Sequence, residues 1–183
     1  MIEALGEAPS RVIYLSSTAV YGNAQRVDER TPVSADTERA RLRLAEEARV
    51  AAGPWSSLIL RPAAIYGPGR GVQERVKSGT HSMGDNIISR IHVDDLAVHV
   101  EAALLSDVTG AYPVADEEPC AAREIAEFCG AVATPGVPPL NTRVTNRRVD
   151  GSAIRRLLGI TLIYPSYRVG IPASLMQPPL PRL

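Results

Sequence analysis

Residues 12–60 read strand, helix, strand, and that order constrains the chain more than any other feature. Val12-Ile13-Tyr14-Leu15 is a short apolar run that follows the turn-like Pro9-Ser10. Such a run, bounded by turn signals, predicts a strand over 12–16 buried on both faces, as in a parallel sheet. After a polar loop through Pro32, Ser34 is placed to cap a helix over 35–52. Ala40, Leu44, Ala48 and Ala51 lie on one face of that helix, and Gly53-Pro54 ends it. Ser56–Leu60 then predicts a second buried strand that runs into Arg61-Pro62. In a βαβ unit of this length the two strands are parallel. Ligands of open α/β sheets bind beyond the carboxyl ends of the strands. Ser16, Ser17 and Thr18 stand at that end here, either as a site or as the start of a turn.

The rest of the chain continues the alternation. Tyr66–Gly71 is a glycine- and proline-rich loop, followed by a short helix over 72–78. Residues 87–93 read as a strand, and Asp94 or Asp95 is placed to cap a helix through Leu105. A strand over 111–115, a helix over 121–132 and a helix over 150–158 closed by Gly159 follow. Met1–Gly6 reads as the last turn of a helix, and the proline-containing tail from residue 172 as irregular. Aromatic residues are only 4% of the chain, so the core must be built from Ala, Val, Ile and Leu.

Composition excludes several function classes. Lys+Arg and Asp+Glu are 20 each, which argues against a nucleic-acid partner. Arg39, Arg41 and Arg43 accordingly read as a solvated helix face. Cys120 and Cys129 fit no zinc or CxxC spacing and are expected as buried free thiols in the helix over 121–132. His81, His92 and His99 show no ligand spacing, so no metal is expected. No apolar run approaches the length of a membrane span, and with no signal peptide the default location is cytoplasmic.

Three segments, SSTAVYG, LRPAAIYGPGR and SRIHVDDLA, occur in that order. Together they resemble the extended and atypical short-chain dehydrogenase/reductases, the NAD-dependent epimerase/dehydratase family. GAYPVADEEP and LLGITLIYPSYRVG are similar to the carboxyl-terminal part of atypical members. The resemblance implies an α/β fold with a partial Rossmann-like parallel sheet, flanking helices and a small carboxyl-terminal α/β subdomain on the substrate side. Within a single domain, residues 1–71 would be the carboxyl-terminal half of the sheet and 72–183 the substrate-side part. It implies NAD or NADP as cofactor and a sugar nucleotide or related carbonyl or alcohol as small-molecule substrate. Ser17 would bind the substrate oxygen at the nicotinamide, with Thr18 as the neighbouring alternative. Pro62, Ala63, Ala64 and Ile65 would run beside the nicotinamide, and Arg90 would hold substrate phosphates. His92, Asp94 and Asp95 would position their segment rather than react. Tyr21 reads as packing, and Arg61 as an ion-pair partner.

The sequence departs from the family pattern in three ways. No GxxGxxG or GxGxxG turn follows a first strand, so the backbone cradle for a dinucleotide pyrophosphate is missing. The residue that reads the ribose, about 20 positions beyond that turn, cannot be located without it, which leaves NAD and NADP undistinguished. There is no Tyr-x-x-x-Lys pair, because Lys77 is the only lysine and Gln73 stands four residues before it. Arginine does not substitute for that lysine in proton exchange. The chain is therefore expected to be the carboxyl-terminal part of such a protein, without the first four strands. The edge of the strand over 12–16 would then be unpaired and open to self-association or to a partner. A non-catalytic binding or assembly module derived from the family is the competing expectation.

Overall fold

The computed structural model describes residues 9–131 and 146–178. The helix end expected at residues 1–6 lies outside them. Strand β1 (Arg11–Leu15), helix α1 (Glu38–Ala51) and strand β3 (Ser56–Pro62) form the expected βαβ unit, with the short strand β2 (Arg26–Val27) in the loop between β1 and α1. β1 pairs with β3 in parallel, Arg11 opposite Ser56 through Leu15 opposite Leu60. β3 pairs in parallel with β7 (Gly110–Val114), giving the order β1-β3-β7. The helix begins three residues later than expected. Thr37 caps it, its hydroxyl accepting from the Ala40 N–H at 3.1 Å. Ser34 is drawn away instead: its hydroxyl bonds Asp36 and its N–H reaches the Val20 carbonyl.

The central strand is the core. Leu58 and Leu60 of β3 pack with Val114 of β7 and with Ile91 and Ile154, and none of these five is exposed to solvent. The scarcity of aromatics is thus met by branched aliphatics, as composition requires. β1 differs from its expectation: Val12, Ile13 and Tyr14 are half-buried and Leu15 is exposed. The cause is position, since β1 has a neighbour on one side only.

Of the remaining elements, the helices Val93–Leu104 and Ser152–Leu158 pack on the sheet beside Leu58 and Leu60. Strand β4 (Ala64–Tyr66) pairs in parallel with β6 (Arg90–His92), and β5 (Ile87–Ile88) pairs antiparallel with β8 (Cys120–Ala121). Between them lies α2 (Val72–Lys77). The single strand expected over 87–93 is thus divided at Ser89. β2 pairs in parallel with β9 (Arg148–Val149). α3 (Val93–Leu104) is capped by His92 rather than by an aspartate, the ring Nδ1 accepting from the Asp94 N–H. Its Nε2–H then donates to Ser174 at 2.9 Å, and burial holds the ring neutral. α4 (Ala122–Phe128) is shorter than expected. Cys120 and Cys129 are free thiols, but Cys120 is in β8 and Cys129 follows α4. α5 (Ser152–Leu158) ends at Gly159, whose left-handed φ of 66° suits glycine.

The tail contains a helix that its proline argued against, α6 (Tyr167–Met176), with Pro172 inside. Tyr167, Gly170, Ile171 and Ser174 are buried on one face of it, and this packing outweighs the hydrogen bond that Pro172 cannot make. Among the described residues no helix is long and apolar enough to cross a membrane.

Asp95, fully buried on α3, ties this region together. Its two carboxylate oxygens accept the N–H groups of Ile163 at 2.7 Å and Tyr164 at 3.0 Å. Replacing Asp95 with alanine orphans both donors and should destabilise the protein by about 2–4 kcal/mol in urea unfolding, a few kcal/mol being typical of lost buried bonds to a charge. A loss below about 1 kcal/mol would mean that water replaces the carboxylate.

Candidate functional site

Ser17 starts a turn and also lines a cavity. Its extended backbone leaves the end of β1, and its Oγ accepts the Ala19 N–H at 3.1 Å, capping a 3-10 turn over Thr18–Val20. A hydroxyl has one donor and two acceptor positions. This cap uses one acceptor position and leaves the O–H to donate to a ligand.

Ser17 and Thr18 line a cavity of about 250 Å³ with Pro62, Ala63 and Ala64. The turn after β1 and the segment after β3 meet there because β1 and β3 are parallel neighbours whose carboxyl ends coincide. Ile65 does not share the cavity. Successive side chains of a strand alternate, so Ala64 faces outward while Ile65 packs against the core. Arg90 lies inside the protein, 3% exposed. Its guanidinium donates to the Ile88 carbonyl at 2.8 Å and to the Cys120 sulfur at 3.2 Å. Burial pushes the Cys120 thiol up to about 11, so the sulfur is neutral.

Two arginines complete the cavity, and sequence reasoning placed neither there. Arg39, read as part of a solvated helix face, lines it from the first turn of α1. Arg147 is 6% exposed and also lines it. Its guanidinium donates to the carbonyls of Thr18, Gly22 and Ala24, gripping the turn that carries Ser17. No local pattern could have revealed this, because Arg147 and Thr18 are 129 residues apart. With two guanidinium groups and no carboxylate in its lining, the cavity attracts anions.

Neighbouring groups are structural. Tyr21 and Arg61 bear out their readings: the buried tyrosine hydroxyl accepts from Arg61 at 3.1 Å, and Arg61 pairs with Glu47 at 2.6 Å. Burial raises the Tyr21 phenol above its ordinary range, so it is no proton shuttle near neutrality. The glycine loop is no phosphate cradle. The N–H groups of Gly67 and Arg70 are engaged with each other's carbonyls, and the Gln73 amide donates to both carbonyls.

For a nicotinamide dinucleotide, the residues present fit one end only. Pro62, Ala63 and Ala64 offer a wall of small side chains that a planar ring can approach, next to the Ser17 hydroxyl. The pyrophosphate end has no counterpart, since no glycine-rich dinucleotide turn occurs in this sequence.

The sequence pattern of the NAD dependent epimerase/dehydratase family matches residues 1–114. The chain is 31% identical to the 3-diazoavenalumate denitrifying reductase of a Streptomyces species, over 79% of this chain and 55% of that protein. It therefore spans about half the length of that curated relative. A functionally unknown conserved protein from Silicibacter pomeroyi superposes with a TM-score of 0.77 at 34% identity, covering 93% of this chain and 67% of that one. The Thermus thermophilus UDP-glucose 4-epimerase, solved with NAD, superposes with a TM-score of 0.74 over 91% of this chain and 63% of its own. At 20% identity that likeness is one of fold.

Proposed function

The chain belongs to the NAD dependent epimerase/dehydratase family, and from that premise we propose that it carries the nicotinamide-side and substrate-side walls of an NAD- or NADP-linked active site. The observation that carries this reading is the Ser17 hydroxyl beside Pro62, Ala63 and Ala64 in one cavity, with its O–H free to donate. The substrate is a sugar nucleotide or a related carbonyl, alcohol or other reducible compound. The reductase among the relatives favours a reduction. In this division residues 1–71 supply the sheet half that carries Ser17 and the Pro62–Ala64 wall, and 72–183 the substrate-side part together with β7, the third strand of the sheet. The dinucleotide's pyrophosphate half is held by polypeptide outside residues 1–183, in keeping with the share of the relatives' length that the chain spans.

The nicotinamide, when bound, supplies the hydride chemistry. The chain's own residues orient and polarise. Ser17 donates to the substrate oxygen, with Thr18 as its neighbour and second donor. Arg39 and Arg147 favour negative charge as it develops on that oxygen or stands elsewhere on the substrate. Arg39 meets any anionic group directly, since the Arg90 guanidinium is engaged with Ile88 and Cys120 and that of Arg147 with the Thr18, Gly22 and Ala24 carbonyls. Neither arginine is a proton donor, because a guanidinium does not give up its proton near neutrality. With no Tyr-x-x-x-Lys pair, the proton comes from water or from the substrate itself.

In the native full-length protein or assembly, Ser17→Ala should lower kcat/KM by about 100-fold, the scale of removing one preorganised donor to a developing oxyanion. Dinucleotide affinity should stay unchanged. Wild-type turnover in that variant would remove Ser17 from the chemistry. The second reading, an assembly module, draws on the open edge of β1. Absence of dinucleotide binding, together with association that Val12→Lys abolishes, would favour it instead.

A further inference from the structure

A second and larger cavity, of about 480 Å³, lies between the β2·β9 pair, the turn that leaves β7 and the start of α5. Val149 lines both cavities, so β9 is their common wall. Deep in this one is Asp116, 3% exposed. Neither of its carboxyl oxygens has a hydrogen-bond partner among the described residues. The Glu118 N–H is near enough to favour the ionised form but falls outside hydrogen-bond geometry. Buried polar groups are nearly always bonded, so a carboxyl with both oxygens bare needs an explanation.

The other charged groups of the cavity leave two loci open. Arg155 donates to the Ala115 carbonyl at 2.7 Å and pairs with Glu117 at 3.2 Å, so it does not reach Asp116. Asp150 accepts the Ser152 N–H, and Asp28 accepts from Arg30 and Thr31. Arg26 and Arg148 stand opposite each other in the parallel register of β2 and β9. Both are exposed, and neither has a carboxylate within ion-pair distance among the described residues. Like charges directly opposed on neighbouring strands are unfavourable unless an anion joins them. The cavity therefore has an unsatisfied carboxyl at its depth and two opposed guanidinium groups at its rim, where Asp28 and Asp150 also stand.

We propose that this cavity binds a small zwitterion, an amino-acid-like molecule whose amine bonds Asp116 and whose carboxylate bridges Arg26 and Arg148. An amine supplies the donors that both Asp116 oxygens lack, and a carboxylate matches the forked donors of paired guanidinium groups. Burial holds the empty carboxyl neutral at pH 7, pushing it up to about 8 against the pull of Arg90. An ammonium group in contact restores the ionised form, so binding releases a proton. None of this depends on the nicotinamide or on Ser17, so this site and the Ser17 site fail or stand separately.

The test is calorimetric titration of the chain with glycine, β-alanine, 4-aminobutyrate and 6-aminohexanoate, which differ only in amine–carboxylate spacing. One spacing should bind best, with a heat that varies with the ionisation enthalpy of the buffer. Asp116→Asn and Arg148→Gln should each weaken it by about tenfold or more, and so should replacing the probe with propylamine or butyrate. Arg148 is exposed, so its substitution keeps the test valid even if Asp116→Asn misfolds. Absence of binding by every member would overturn the proposal, leaving water as the partner of Asp116. Binding that both substitutions leave unchanged would overturn it equally.

Discussion

Glu47→Ala should cost the protein about 3–5 kcal/mol, the scale measured when one partner of a buried ion pair is removed. Glu47 and Arg61 are almost fully buried, on α1 and β3. Their contact is bidentate: Arg61 donates to the two carboxylate oxygens at 3.0 and 2.6 Å. The same guanidinium donates to the Tyr21 hydroxyl and lies 5.1 Å from the centre of its ring. Removing the carboxylate leaves a cation under α1 with a phenol as its remaining polar contact among the described side chains. The destabilisation comes from that stranded charge more than from the lost attraction. A double variant, Glu47→Leu with Arg61→Met, should therefore recover most of the loss, because an apolar pair of similar volume removes the charge altogether. Urea unfolding of the two variants decides the matter. A single variant within about 1 kcal/mol of wild type would show that water reaches Arg61.

Asp116→Asn should do the opposite and stabilise the protein, increasingly so as pH rises. In the folded state the Asp116 carboxyl is pushed from its ordinary 3.8 up to about 8, chiefly by burial. Between those values the folded chain keeps a proton that the unfolded chain gives up. Stability from this group is therefore full below about pH 4 and is lost as pH climbs towards 8. At about 1.4 kcal/mol per pH unit, the penalty at pH 7 is on the order of 4 kcal/mol. Asparagine keeps the shape and removes the titration. Melting curves at pH 5 and pH 8 should show the variant gaining on wild type at the higher pH. A variant that loses ground at pH 8 would show that the carboxyl is stably ionised in place. Stabilisation together with loss of zwitterion binding would mark Asp116 as a group held for binding at the expense of the fold.

The sequence by itself determined the strand–helix–strand unit, the aliphatic core and the position of Ser17 at the end of a parallel strand. Each of these rests on local regularity. Val12–Leu15 and Leu58–Leu60 are apolar runs of strand length, and Ser16-Ser17-Thr18 follows the first directly. The family motifs were legible for a related reason, being short contiguous runs of the chain. Tertiary structure alone decided what surrounds Ser17. It brought Arg147 from the far end of the chain onto the turn at Thr18, and it set Arg39, solvent-exposed as expected, at the cavity wall. It drew Arg90 into the interior beside Cys120 and left Asp116 buried without a partner among the described residues. It also built α6 through Pro172, because Tyr167, Ile171 and Ser174 found a surface to bury against. Periodicity shows which side of an element is apolar. What lies opposite a polar side chain, and so its charge, partners and chemistry, depends on contacts between residues far apart in the chain.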